Sequence, residues 1–381
     1  MLDYFFCLKQ IKLNIQKDLI YQIALLKVKG MGPSILRKMI NQFKSAESIY
    51  AACKADFIEK NLYNPTLYNN IKSSIILIQE AENELTYCNK HNIKVISYYD
   101  NAYPYRLKEC KDAPQYLFCR GNENINKKRI ISVVGTRNPT NYGIQFCKTL
   151  CEILSSYKVT IVSGLAHGID YNAHYYALKN HLSTFAVLGH GHQYIYPSNH
   201  LKISNEIQNK GLLISEFSSL TKPNKYTFPK RNRIIAGISD ATIIIESPLK
   251  GGAMITARIA NSYNKDVFAL PGNVFSDKSA GCNHLIKSNE AHLIDSAQEL
   301  IKMMGWEKEQ CHENKPLAII NELSPEELKI VTLLQKEGKL SIDDLCFHLN
   351  ENINSINIGL TQLEIKGIIQ QRPGKIFHYI G

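Results

Sequence analysis

Residues 223–233 read Pro-Asn-Lys-Tyr-Thr-Phe-Pro-Lys-Arg-Asn-Arg, setting Lys225, Lys230, Arg231 and Arg233 among Tyr226, Phe228 and Asn232. Cations neutralise phosphates and flat rings stack on unpaired bases, the combination that a single-stranded nucleic acid requires. A charge run alone is more simply a solvated loop, and the interleaved rings are what argue for binding. The stretch is expected to be a loop ahead of a short helix at 234–238. A second stretch, 129–143, holds a β-branched run (130–134), a stop at Gly135, then Thr136 and Arg137, with helical spacing over 142–154. Strand, glycine turn and helix start form a corner whose free N–H groups and helix dipole favour an anion. The Arg137 guanidinium adds a fork suited to phosphate oxygens.

The same corner excludes the commonest nucleotide sites. A dinucleotide fingerprint needs G-x-G-x-x-G and an acid after the next strand. Here Gly135 is followed by glycine only at Gly143, and the strand at 159–162 ends in Ser163-Gly164. The Gly-Lys-Ser/Thr ending of a P-loop is missing too, so neither NAD nor ATP is expected, nor any other cofactor. Glu216 and Glu246 stand at strand ends as the only plausible catalytic acids, and each is more simply a loop anchor. His167, His174, His190, His192 and His200 cluster without a zinc spacing, so no metal is expected.

The elements that must position these residues alternate. Strand candidates at 93–97, 130–134, 159–162, 184–188, 212–215, 241–246 and 266–270 are mostly separated by helical segments. That alternation implies an α/β fold with a doubly wound parallel sheet, whose ligands bind beyond the carboxyl ends of the strands. Those ends carry glycine-rich turns: Gly135, Ser163-Gly164, Gly189-His190-Gly191, Gly251-Gly252 and Pro271-Gly272. So many on one rim argue for close approach of a charged ligand, although βα turns use glycine anyway. Residues 93–97 lead into a Tyr/Pro-rich connection that feeds the strand at 130.

Four segments are expected: 1–85, 86–306, a linker at 307–320, and 321–381. In the first, helical spacing over 19–28 breaks at Lys29-Gly30-Met31-Gly32-Pro33 and resumes over 34–43, the pattern of a helix-hairpin-helix or of a plain helical hairpin. In the last, Ser324-Pro325-Glu326-Glu327 is a capping box opening a helix to 336. Further helices at 341–349 and 353–365 and a hairpin around 372–375 spell a winged helix. Its third helix carries only Glu364 and Lys366 as charges, so it suits a protein contact better than base reading.

At 381 residues and net charge +11, the chain is long enough for several cores and basic enough to favour a polyanion, though a lysine-rich proteome would raise the charge anyway. No apolar run reaches membrane-spanning length, and 2–8 lacks a cleavage site, so no membrane is expected. Ten cysteines without a CxxC pair fit a reduced, cytoplasmic protein.

These motifs together resemble one family. Val134-Gly135-Thr136-Arg137, Ser163-Gly164-Leu165-Ala166-His167-Gly168-Ile169-Asp170, Phe228-Pro229-Lys230-Arg231-Asn232-Arg233-Ile234-Ile235-Ala236-Gly237 and Gly251-Gly252-Ala253-Met254-Ile255-Thr256-Ala257 look like the DNA-processing protein A (DprA/Smf) family. So do Ala269-Leu270-Pro271-Gly272-Asn273 and Gly281-Cys282-Asn283-His284-Leu285-Ile286. The resemblance covers about 90–300 and implies an extended Rossmann-like fold that binds single-stranded DNA without hydrolysing it. It further implies protection of incoming DNA in natural transformation, loading of the RecA recombinase, and a homodimer. The family's phosphate-binding arginine falls on Arg137, and its basic and stacking residues on Lys225 and Phe228. A lysine often found after the Tyr-Pro of the next rim loop is absent: Ser198 follows Tyr196-Pro197, and Lys202 is the nearest substitute. The expected DNA-binding set is Gly135, Thr136, Arg137, Ser163, Gly164, Lys225, Phe228, Lys230, Arg231, Asn232, Arg233, Gly251, Gly252 and Thr256. His284, Leu285 and Ile286 are expected at the dimer interface. The rival class is an enzyme of related fold, a nucleoside-monophosphate phosphoribohydrolase. That class needs a Pro-Gly-Gly-x-Gly-Thr loop, whereas Gly251-Gly252 continues here as Ala-Met-Ile-Thr.

Overall fold

The computed structural model describes residues 17–307, 323–366, 368–372 and 376–379. The chain divides into two compact units, 1–308 and 309–381.

The first unit opens with helices: α1 (17–27), α2 (Pro33–Phe43), α3 (Ala46–Ala51), α4 (Lys54–Glu59), α5 (Pro65–Lys72) and α6 (Ile76–Lys90). Pro33 starts α2 where its missing N–H is no loss, and Gly30 takes the positive φ of 90° that turns the chain between α1 and α2. The helices close a small core of their own around Leu36, Met39 and Phe57. A second cluster joins Ile23, Ala24 and Leu85 to Ile93, Tyr116 and Phe118, so the helical segment covers one edge of the sheet. The boundary expected at 85/86 falls inside α6.

Nine strands form the sheet: β1 (Ile93–Ser97), β2 (Tyr116–Gly121), β3 (Ile130–Gly135), β4 (Thr160–Ser163), β5 (Thr184–Val187), β6 (Gly211–Ser215), β7 (Ala241–Ile245), β8 (Asp266–Ala269) and β9 (His292–Leu293). Their order is β1-β2-β6-β5-β4-β3-β7-β8-β9, parallel from β6 to β9, with β2 antiparallel to β6 and β1 antiparallel to β2. The doubly wound α/β expectation is met. β2 and β9 were not anticipated. β2 emerges from the Tyr/Pro-rich connection because Tyr116-Leu-Phe-Cys, lying between β1 and β6, is buried on both faces.

Strands β3, β4, β5 and β7 are almost wholly buried, as β-branched strands covered on both faces must be. One face is covered by α7 (Tyr105–Lys108), α11 (Thr227–Ile238), α12 (Gly252–Ser262) and α13 (Asp277–Lys287), which surround Val134, Phe185 and Ile244. The other is covered by α8 (Asn141–Leu154), α9 (Ile169–Lys179) and α14 (Ala297–Met303), around Val133, Ile161 and Ile243. Helix α10 (Leu201–Lys210) packs at the β5–β6 side. Among the described residues no helix is long and apolar enough to cross a membrane.

The second unit runs α15 (Pro325–Glu337), β10 (Lys339–Ser341), α16 (Ile342–Leu349), α17 (Ile353–Ile365), β11 (Ile369–Arg372) and β12 (Ile376–Tyr379), with strand order β10-β12-β11. This is a winged helix, and the expected capping box is present at Ser324 and Glu327. Strand β10 was not anticipated. Most of the expected linker and the tip of the expected hairpin turn lie outside the described residues.

Candidate nucleic-acid interface

β3 stands where the chain reverses direction across the sheet: β4 lies on one side and β7 on the other. Crevices open at such switch points. Here one does, a depression of about 310 Å³ at the carboxyl ends of the strands. It brings together Gly135, Thr136, Arg137, Phe228, Arg231, Asn232, Gly251, Gly252 and Thr256 from segments up to 121 residues apart.

The corner at Arg137 is held differently from expectation. The Glu246 carboxylate accepts the Thr140 N–H at 2.7 Å and the Thr140 hydroxyl, while the Glu246 carbonyl accepts Thr136 N–H at 2.7 Å. Gly143 exists because a Cβ there would lie 2.6 Å from Glu246 Oε2. The start of α8 therefore already carries a carboxylate, the protein's own, which corrects the expectation of an open anion seat there. Arg137 itself is exposed beside this clamped loop. The open seat is at α12, which begins after Gly251 with no side-chain cap. Gly251, Gly252 and Ala253 line the depression, leaving first-turn N–H groups for a ligand. A Cβ on Gly252 would meet nothing within 4 Å.

The basic-aromatic block is mostly helix, not loop. Asn224 Oδ1 accepts Tyr226 N–H at 2.9 Å and Thr227 N–H at 3.1 Å, so α11 starts at Thr227. Pro229 falls in the first turn, where no N–H is needed. Helical spacing then sorts the cations. Arg231 shares the inward face of Ile234, Ile235 and Ile238 and is 5% exposed. Its Nη1 donates to the carbonyls of Gly164 and Val187. Burial lowers its pKa to about 10, opposed by the nearby Asp170 carboxylate. Asp170 is raised by burial and held down by Arg231 and by the N–H groups of Gly164 and Ala166. Arg233 pairs with Glu216 and donates to the Asp112 carbonyl. Both guanidinium groups are thus committed inside the protein, whereas Lys225, Tyr226 and Lys230 are exposed and Phe228 is half-buried.

Phe228 packs over Gly189, where a Cβ would lie 2.6 Å from its ring, and beside Tyr196 with ring centroids 5.7 Å apart. Gly164 is small for a similar internal reason, the Arg231 guanidinium 2.2 Å from where its Cβ would stand. Ser163 donates to the Val133 carbonyl at 2.6 Å, so Ser163 and Gly164 lie behind the depression and support it. Most of the rim glycines accommodate the protein's own atoms; Gly252 is the exception that faces open space. The two candidate acids are both anchors, Glu246 on Thr140 and Glu216 on Arg233. Four of the five histidines are likewise fixed: His190, His192 and His200 bond backbone carbonyls and His174 bonds the Thr184 hydroxyl, while His167 is exposed.

At the expected dimer segment, Leu285 is fully buried in the core and shapes its helix from within. His284 is exposed and Ile286 half-buried on α13, and Met254, Ala257 and Ala260 of α12 are core residues too.

Comparison with known proteins agrees with the geometry. The family described as DNA recombination-mediator protein A matches residues 94–305, and the DprA winged helix domain matches 314–375. Protein Smf of Synechocystis sp. is 31% identical over 93% of this chain and 97% of its own. DNA processing protein DprA of Streptococcus pneumoniae is 39% identical over 53% of this chain and 71% of its own. The X-ray structure of the pneumococcal DprA superposes with TM-score 0.64 at 30% identity, covering 76% of this chain and 98% of that one. A Helicobacter pylori DNA processing protein A, solved for its single-stranded DNA binding mode, gives TM-score 0.52 at 32% identity over 56% of this chain and 97% of its own. Switch-point crevice, winged helix and kinship along 93% of this chain coincide, and the chain belongs to the DNA recombination-mediator protein A (DprA/Smf) family.

Proposed function

We propose that this protein binds single-stranded DNA across the β3–β7 crevice without cutting it and passes the strand to a RecA-type recombinase, protecting DNA taken up in natural transformation. The observation that carries the reading is the open N-terminus of α12 facing Arg137 across a depression edged by the Phe228 ring. A phosphate seated on the α12 N–H groups and the Arg137 fork leaves its base within reach of Phe228. Exposed Lys225 and Lys230 supply the electrostatic approach, while Arg231 and Arg233 keep the rim rigid. The binding mode named for the Helicobacter pylori relative supports the same ligand here. Glu216 and Glu246 being engaged in loop contacts supports a binder over a phosphoribohydrolase. A cytoplasmic homodimer using the outer face of α13 completes the reading.

The experiment titrates fluorescent oligothymidine, the matching duplex and nucleoside monophosphates into the protein, and assays the last for base release. Preference for the single strand with no release is expected. Equal affinity for duplex, or liberation of free base, overturns the proposal.

A further inference from the structure

Arg137 borders a second depression of about 750 Å³, also lined by Asn138, Pro139, Ile144, His167 and Asn172. From its His167 side a run of rings leads away. His167 lies edge-to-face with His200 at 4.9 Å, His200 lies 4.8 Å from Tyr171, and Tyr171 stacks on Tyr175 at 6.1 Å with planes 10° apart. The run is supported from beneath: His200 is buried and bonded to the Leu165 carbonyl, and Tyr171 is half-buried against the α9–α10 cluster. Its two ends are open, since His167 is exposed and Tyr175 is 44% exposed. Lys179 and Lys202 are exposed on the flanking helices α9 and α10. Exposed flat rings beside a phosphate-binding arginine, with lysines alongside, form a stacking platform for unpaired bases.

We infer that the depression between Arg137 and His167, continued by Tyr171 and Tyr175, is a second base-stacking subsite for the nucleotides that flank the phosphate on Arg137. The inference rests on the single-strand reading above and extends its footprint from the crevice onto the outer face of α9. Arg137 is then shared, with the strand entering over Phe228 and leaving over His167. Because the ring run does not touch Phe228, the two subsites separate by strand length.

The test uses the full chain and oligothymidines of about five and about twenty nucleotides, sizes bracketing a single stacking groove. The double variant His167→Ala/Tyr175→Ala should weaken the long strand on the order of tenfold or more and leave the short one nearly unchanged. His167→Phe/Tyr175→Phe should restore the long-strand affinity, which excludes simple misfolding of α9. Phe228→Ala is run in parallel and should weaken both lengths. Unchanged long-strand affinity in the alanine pair, while Phe228→Ala still weakens binding, overturns the second subsite and leaves the main reading intact. Loss of the short strand in the alanine pair also overturns it, because the rings would then belong to the primary site. If Phe228→Ala and Arg137→Ala bind both strands as the parent does, the single-strand reading itself has failed.

Discussion

Arg137 and Phe228 divide the proposed site between charge and stacking, and the division is measurable. Arg137 stands exposed on a loop clamped at both ends by Glu246, so Arg137→Ala removes a cation without loosening the loop. It should weaken binding to all strands and reduce the log–log salt slope by about 0.7, the loss of one phosphate contact on a single strand. Phe228→Ala should cost about 1–3 kcal/mol with the salt slope unchanged, and should matter less for duplex, whose base faces are covered. Titrations at several salt concentrations decide; equal weakening of duplex and single strand by Phe228→Ala would assign the ring to the core. The glycines give a second contrast. Gly252→Ala adds a methyl into open space at the start of α12, so stability should hold or rise by up to about 1 kcal/mol while DNA affinity falls. Gly164→Ala drives a methyl into the Arg231 guanidinium and should destabilise by about 1–3 kcal/mol. Thermal melts beside binding titrations check both, and a Gly252→Ala protein that binds normally would remove α12 from the phosphate seat.

At the scale of elements, the sequence made the sheet legible because buried parallel strands write themselves as β-branched runs, as in Ile130–Gly135 and Ala241–Ile245. It misjudged α11, since a block dense in lysine and arginine reads as solvated loop while tertiary packing wanted a helix. The signal was present: Arg231, Ile234, Ile235 and Ile238 have i, i+3, i+4, i+7 spacing, which turns Arg231 inward once the helix starts at Thr227. No pattern in the sequence could show that Glu246 reaches Thr140, because that contact spans 106 residues and depends on β3 lying beside β7. Helix α9 and the loop after β5 add a pH dependence. Burial lowers the pKa of His174 to about 3 and of His192 to about 4, against roughly 6.5 in an unfolded chain. Both stay neutral in the native protein, so below pH 6.5 the unfolded state binds more protons. The stability these groups allow is complete above that pH and is lost as pH falls towards 4, at up to about 1.4 kcal/mol per pH unit for each histidine. Urea midpoints between about pH 7 and pH 5 should fall more steeply for the parent than for His174→Asn, in which the side-chain amide can still meet Thr184. Identical pH slopes would show that His174 is not the source.

For the whole molecule, assembly is the first question. The outer face of α13 offers His284 and Ile286, and nearby Phe275 is 95% exposed on the loop before it. Light scattering at micromolar concentration should give the mass of a dimer, and Ile286→Glu should shift it towards a monomer while Leu285→Ala, a core change, should lower stability by about 2–5 kcal/mol. A monomeric parent would refute the dimer.

Which unit holds the strand is decided by where the chain is cut. All of the crevice, the exposed lysines and the ring run lie within residues 1–308. Among the described residues, the outward face of α17 offers little for a phosphate, presenting Ile358, Thr361, Gln362 and Ile365. Lys366, at its end, is tied to the buried Glu327 by contacts of 2.7 and 2.9 Å. A chain ended after Glu307 should therefore keep its oligothymidine affinity to within about twofold and its salt slope to within about 0.7, one phosphate contact. The cut at the other end has to respect the packing. A chain begun at Lys90 would strip Ile23, Ala24 and Leu85 from Ile93, Tyr116 and Phe118, uncovering one face of β1 and β2. Such a piece should aggregate or melt early whatever its DNA site, so its failure to bind carries no information about α1 and α2. The informative comparison is the full chain against residues 1–307. A loss of affinity beyond about tenfold with a flatter salt slope would mean that the winged helix contributes several phosphate contacts of its own, and the crevice alone would not be the site.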